Sequence, residues 1–251
     1  MEIQEMVSRK AELIKLKKAA TKFTDGWGSP VLAVNKTTNK ADTNESVLDK
    51  TIVGNTYYWM DSHDDVHVKG CFTKSVKENA RIFHLHDHEF KISAQIGKIS
   101  KAYEQDLPWS TFGIDKDGNT TSLLADTKVI ESMNGQIFNG YKSGEIDQHS
   151  VGMQYVTLSL AVKERNDEWK EENKAWDEIY PMLGNPERAD EKGYLWIVRE
   201  CKLIEISAVL MGSNSLTPTL ENKQEPSSDT LADAAAANAL QLNDFFNHLK
   251  L

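Results

Sequence analysis

A β-rich run from His149 to Val162 commits the middle of the chain to a sheet. Partner strands are predicted on both sides of it. Val53 to Met60 (Val-Gly-Asn-Thr-Tyr-Tyr-Trp-Met) has β-branched and aromatic content. Arg81 to His88 alternates, another strand begins at Ile96-Gly97-Lys98-Ile99, and Thr121 to Val129 is a further candidate. Tyr194 to Val198 and Leu203 to Met211 read as two closing strands. Helices are interspersed. Residues 1–22 place Ile3, Met6, Val7, Leu13 and Ile14 at helical spacing. A turn at Gly70-Cys71-Phe72 leads into a short helix that Thr73 or a neighbour caps. Glu131 to Ser143 is helical, with Ile137, Phe138 and Tyr141 on one side and Gly144 as its stop. The pattern predicts an α+β body.

Composition shifts suggest the boundaries. Residues 1–49 hold the first helix and a polar, turn-rich lead-in, 50–218 the main body, and 219–251 a linker and tail. Glu221 to Thr230 has linker composition, and 231–251 reads as an Ala-rich amphipathic helix with Leu242, Phe245, Phe246 and Leu249 near one face. The charged segment 163–192 reads as a surface helix and loop.

The formal net charge is −9, which repels phosphate backbones and argues against nucleic acid as a partner. Cys71 and Cys201 form no Cys-x-x-Cys pair, so a reducing cytoplasm suits the chain better than a disulfide scaffold. The N-terminus lacks the apolar core of a signal peptide, and no apolar run approaches the ~20 residues that span a bilayer. Neither membrane nor cofactor is implied.

Chemistry concentrates in two places. Three of the seven histidines fall in His84-Leu85-His86-Asp87-His88. On a continuous strand His84, His86 and His88 share one face, with Asp87 opposite. Packing explains such clustering poorly. The run resembles the His-x-His-x-Asp-His motif of metallo-β-lactamase-type hydrolases but is one residue short, and His149 and His248 supply no convincing further ligand motif. General-base catalysis is the competing chemistry, with one histidine activating a hydroxyl. The candidate hydroxyl is Ser150, in Asp147-Gln148-His149-Ser150-Val151-Gly152-Met153, at the junction of a Gly-terminated helix and an apolar strand. Such a junction exposes a side chain at a sheet edge. A serine before Val-Gly is by itself usually just a strand residue.

Four blocks in order give the serine its context. Asp61 to Phe72 is an acidic turn, a strand and a Gly-x-Phe element; Arg81 to Gly97 is a histidine-bearing strand followed by an Ile-Gly turn. Tyr141 to Met153 is a helix, a glycine and Ser-x-Gly; Leu203 to Leu210 is a Leu-x-Glu-x-Ser strand, with Asn214 just beyond. Over about 160 residues this order resembles the caudoviral prohead serine protease family. The resemblance implies a herpesvirus-protease-like small β-barrel or sandwich ringed by helices, with helical appendages at both ends. It implies Ser150 as nucleophile, Glu205 as the third member, and a histidine that ends a strand shortly before the Ile-Gly turn. His88 is the preferred match, because it gives the shorter gap to Ile96-Gly97 and follows a polar residue; His86, followed by Asp87, also matches. Met153 departs from the family's usual aromatic, and the stretch from Ser150 to Glu205 is long, its excess coinciding with 163–192, read as a surface insertion.

The implied function is a serine endopeptidase that processes scaffold protein, the major capsid protein precursor and its own termini, in the host cytoplasm inside assembling proheads. The linker 221–230 is the expected self-cleavage region. The tail helix reads either as a docking element or as an ordinary packed tail. Self-association stays open. Two other readings remain: a metal-dependent hydrolase on the histidine strand, and a non-catalytic capsid-assembly protein.

Overall fold

The computed structural model describes residues 2–20, 46–78 and 81–220. In chain order the elements are α1 (Ile3–Ser8), α2 (Lys10–Ala20), β1 (Val47–Thr56), β2 (Asp65–His67), α3 (Thr73–Glu78), β3 (Phe83–His86), β4 (Gln95–Pro108), β5 (Asn119–Ile130), α4 (Gly135–Ser143), β6 (His149–Val162), α5 (Lys170–Ile179), α6 (Pro186–Lys192), β7 (Tyr194–Ala208) and β8 (Thr219–Leu220). The class is α+β. The linker and tail helix expected over 221–251, and most of the polar lead-in, lie outside the described residues.

All eight strands join one mixed sheet in the order β2-β7-β3-β4-β5-β1-β8, with β6 on β7. A small β-barrel or sandwich was expected, and the sheet does not close into a barrel. No continuous ladder joins β1 to β6, although a Gln148–Pro218 bridge and the bond from Thr219 N–H to Asp147 O approach one. β7 is the organising strand. β6 pairs antiparallel along its whole length, while β2 and β3 run parallel to it, opposite Trp196–Val198 and Glu205–Ala208. A strand has two edges, so β2 and β3 share the edge that β6 leaves free. Two strands were expected where β7 is one. The apparent break at Arg199-Glu200 is only a half-exposed stretch, where Arg199 pairs with Glu178.

The largest core cluster includes Ile52, Tyr57, Phe72, Ile96, Leu123, Phe138 and Ile206. Segment 163–192 departs from the surface insertion expected of it. Its charged residues face water, but Trp176, Ile179 and Leu183 pack with Leu195 and Ile197 of β7 into a second cluster. Trp169 joins Met6, Leu160 and Trp196 in a third, which Ile3, Val7 and Leu13 of the N-terminal helices cover. Lys17 of α2 fastens this cover to Asp65 at 2.6 Å.

A polar chain seats α4 and the start of β6. His149 Nδ1–H donates to Thr217 O at 2.9 Å, because a carbonyl can only accept. His149 Nε2 therefore accepts from the Tyr141 hydroxyl at 2.8 Å. That hydroxyl accepts from His84 Nε2–H at 3.2 Å, and His84 Nδ1 accepts from Thr127 Oγ1 at 2.8 Å. Each side-chain nitrogen and hydroxyl of this His149–Tyr141–His84–Thr127 relay finds a partner, as burial requires.

Burial pulls the His84 pKa down to about 3, and those of His149 and His67 to about 4. The folded values lie below the unfolded 6.5, so the unfolded chain binds more protons as pH falls. Stability present above pH 6.5 is lost progressively toward pH 4 as these histidines titrate. Asp61, pushed up to about 6 by burial and by Asp65, opposes only one of the three. Urea unfolding at a series of pH values should show stability declining below 6.5; a flat or rising profile would show that these imidazoles charge without unfolding the chain.

Candidate active site

The site forms where the C-terminal ends of β3 and β7 meet the first residues of β6. In the β6–β7 ladder, Ser150 lies opposite Ser207 and Gly152 opposite Glu205. Directly opposed residues share a face, so Ser150, Gly152, Glu205 and Ser207 lie on one side. A register shift follows at Gly152/Met153, where β7 carries an extra residue. Bulges of this kind re-aim a neighbouring side chain.

The Glu205 side chain lies across Gly152. A Cβ built on Gly152 would stand 2.0 Å from Glu205 Oε1, so only glycine fits. This gives the Ser-x-Gly spacing a physical meaning. The serine shows its side chain on the same face, while the glycine makes room for the acid.

His88 reaches this face by a turn. β3 stops at His86, and Asp87 and His88 take φ values of 51° and 55°. The Glu89 N–H bonds to His86 O at 3.1 Å. Two positive φ values inside such a bond are the pattern of a type I′ turn. Aspartate and histidine tolerate this region better than most residues. The common face expected of all three histidines is therefore kept by His84 and His86 and left by His88. His84 opposes Ile206 and is buried with Tyr141 and Thr127. His86 opposes Ala208 on that same side, and its Nδ1 lies 3.3 Å from Asp87 Oδ2. A continued strand would hold His88 there too; the left-handed turn carries it over to Glu205. Among the described residues, no group of three His, Cys, Asp or Glu side chains is gathered for a metal ion.

His88 Nδ1 lies 2.6 Å from Glu205 Oε1. Ser207 Oγ donates to Glu205 Oε2 at 2.6 Å and accepts the His88 backbone N–H at 3.1 Å. Both carboxylate oxygens are thus met. The Glu205 side chain is fully buried while that of His88 is 30% exposed. With Nδ1–H given to Glu205, Nε2 keeps its lone pair. Burial pulls the His88 pKa down, but the hydrogen bond and negative charge of Glu205 outweigh it, and the net shift is upward from 6.5.

The loop after β7 closes the other side. Val209 N–H bonds to Gln148 O at 3.0 Å. A Cβ on Gly212 would lie 2.7 Å from His149 O and 3.5 Å from the Ser150 Cβ, so this loop passes directly beside the serine. Asn214 pins it by donating to Thr56 O at 2.7 Å and accepting from Leu216 N–H at 3.0 Å.

The chain matches the model of the caudovirus prohead serine protease family over residues 38–229. It belongs to that family. No curated protein and no solved structure matches it. The protease is a serine endopeptidase of phage prohead maturation, acting on capsid precursors within assembling capsids in the host cell. Among the described residues, no helix is long and apolar enough to cross a membrane. Ser207 is the site residue that sequence reasoning passed over. Its signal was the Glu-x-Ser spacing, which sets both side chains on one face of a strand.

In the protease, Gly152→Ala should drive the Glu205 carboxylate off His88. An NMR titration of the imidazole should then give a His88 pKa lower than in the wild type. An unchanged titration would mean that Glu205 does not need the space above Gly152.

Proposed function

We propose that Ser150 is the nucleophile of the prohead protease, His88 its general base and Glu205 the residue that orients the base and stabilises the imidazolium it becomes. The observation that carries this reading is the 2.6 Å bond between His88 Nδ1 and a fully buried Glu205. It fixes the tautomer and leaves Nε2 as the proton acceptor on the face that Ser150 shares. His86 is left out of the pair because it belongs to the opposite face.

In the proposed reaction the Ser150 Oγ–H proton passes to His88 Nε2 as Oγ bonds to the scissile carbonyl carbon. The imidazolium, held by Glu205, then protonates the leaving nitrogen, and the C–N bond breaks to give an ester on Ser150. Water attacks that ester, its proton goes to Nε2, and the acid product leaves with Ser150 Oγ–H restored. The scaffold protein, the major capsid protein precursor and the protease's own termini are the proposed substrates. The Pro- and Ser-containing stretch 221–230 is the proposed self-cleavage region.

Residues 50–218 are the proposed catalytic domain, with 1–49 as N-terminal helix and lead-in and 219–251 as linker and tail. A herpesvirus-protease-like architecture is proposed for the body. The Gln148–Pro218 bridge and the Val53 N–H bond to Pro218 O, which link β6 to β1, support it.

Ser150→Ala should abolish processing of a capsid precursor, a loss on the order of 10⁴-fold or more, while the protein stays folded. Intact mass spectrometry reads this directly; equal processing by both proteins would remove Ser150 from the mechanism. Glu205→Gln should lower kcat/KM by about 10³–10⁴-fold. It should also shift the pH profile. The base must be neutral, and Glu205 raises its pKa above 6.5, so wild-type activity rises with pH through a midpoint above that value. In Glu205→Gln the midpoint moves down; an unmoved midpoint would mean that another group limits the rate.

A further inference from the structure

β3 and β7 are parallel neighbours, with Leu85 opposite Ser207 and His86 opposite Ala208. The loops that follow them therefore leave the sheet at one end, the end that holds His88 and Ser150. These loops carry Ile92, Leu210 and Met211. Their exposures are 91%, 97% and 87%, the highest of any large apolar side chain among the described residues, where the next is Leu16 at 54%.

Neither loop is loosely held. Bonds from Val209 N–H to Gln148 O and from Ser62 N–H to Ser213 O bracket Leu210 and Met211, and Asn214 anchors the far side. Bonds from Lys91 N–H to Glu89 O and from Ala94 N–H to Lys91 O bracket Ile92, which sits in the short 3₁₀ turn Ile92–Ala94. Three apolar side chains are thus presented to water by braced backbone. Exposed apolar groups concentrated at one place mark a surface that something covers.

Resting on the assignment of Ser150 and His88, we propose that Ile92, Leu210 and Met211 form the substrate-recognition rim of the protease, which takes apolar side chains of an extended capsid-precursor segment on either side of the scissile bond. The occupant follows from position. The Leu210-Met211 part of the rim adjoins the catalytic face, because Met211 immediately precedes Gly212, where a Cβ would lie 3.5 Å from the Ser150 Cβ. A peptide whose carbonyl meets Ser150 must pass over these loops. Extended peptides turn alternate side chains to one face, so the rim would select apolar residues at alternate positions.

The test uses the full-length protein, Leu210→Ser/Met211→Ser and Ile92→Ser variants, and two probes. One probe is a small fluorophosphonate that reacts with an activated serine but is too short to reach the rim. The other is a quenched-fluorescent peptide spanning a mapped cleavage site of the capsid precursor, made also with its apolar residues changed to serine. Fluorophosphonate labelling of the variants should stay within about twofold of wild type, while kcat/KM for the native peptide falls about tenfold or more, mainly through KM. The serine-substituted peptide should lose the same factor with wild type and little more with the variants, the non-additivity expected of groups in contact. Equal peptide cleavage by wild type and variants would overturn the proposal. So would loss of labelling in step with cleavage, which would make the loops part of the catalytic centre. A concentration-dependent dimer that the substitutions abolish, with cleavage unchanged, would assign the rim to a second copy of the chain. Failure of the wild type to label at Ser150 would instead strike the underlying assignment.

Discussion

Glu205 is a carboxylate with no exposure to water, and such a group is costly unless both its oxygens are met. His88 Nδ1 meets one and Ser207 Oγ the other. Removing one partner from a buried charged pair typically costs about 3–5 kcal/mol. The neighbourhood is arranged so that neither partner is lost. Gly152 clears space for the acid, the bulge at its ladder position re-aims the strand, and Ser207 ties the His88 backbone to the same carboxylate. The positive φ values of Asp87 and His88 belong to this arrangement. A strained turn persists where its surroundings over-determine it, and here the buried acid supplies much of the constraint.

β7 is the scaffold of the proposed catalytic arrangement. It carries Glu205 and Ser207 itself, lays Ser150 alongside through β6, and receives His88 from the end of β3. Sequence distance is thereby cancelled: residues 88, 150 and 205 come from three strands that share one end. The opposite side of those strands does a different job. His84, Tyr141 and His149 form a closed polar chain that holds α4 and the first residue of β6 in register. The histidine-rich stretch is thus divided between two faces, with His84 bonded to Tyr141 and Thr127 and His88 facing the acid.

Much of this was legible in the sequence, for identifiable reasons. β6 runs over the predicted His149–Val162 because β-branched and apolar residues fill it and a glycine-stopped helix precedes it. Gly144 ends α4 with φ 82°, as its lack of a side chain allows. The Leu-x-Glu-x-Ser strand was visible, but the bond between Ser207 and His88 was not, because spacing shows a shared face and not a partner on another strand. The left-handed turn at Asp87-His88 was hidden, since neither residue is a glycine and alternation through the segment reads as continuous strand. The core under 163–192 was hidden too. Trp169, Trp176, Ile179 and Leu183 are separated by charged residues, and their inward face emerges only once α5 has a sheet to pack on.

The most direct test of the central assignment is a crystal structure of the protease after reaction with a peptidyl phosphonate. The expected result is phosphorus bonded to Ser150 Oγ, His88 Nε2 within hydrogen-bonding distance of that oxygen, and Nδ1 still held by Glu205. Phosphorus on any other residue, or a His88 ring turned away from both Ser150 and Glu205, would contradict the assignment.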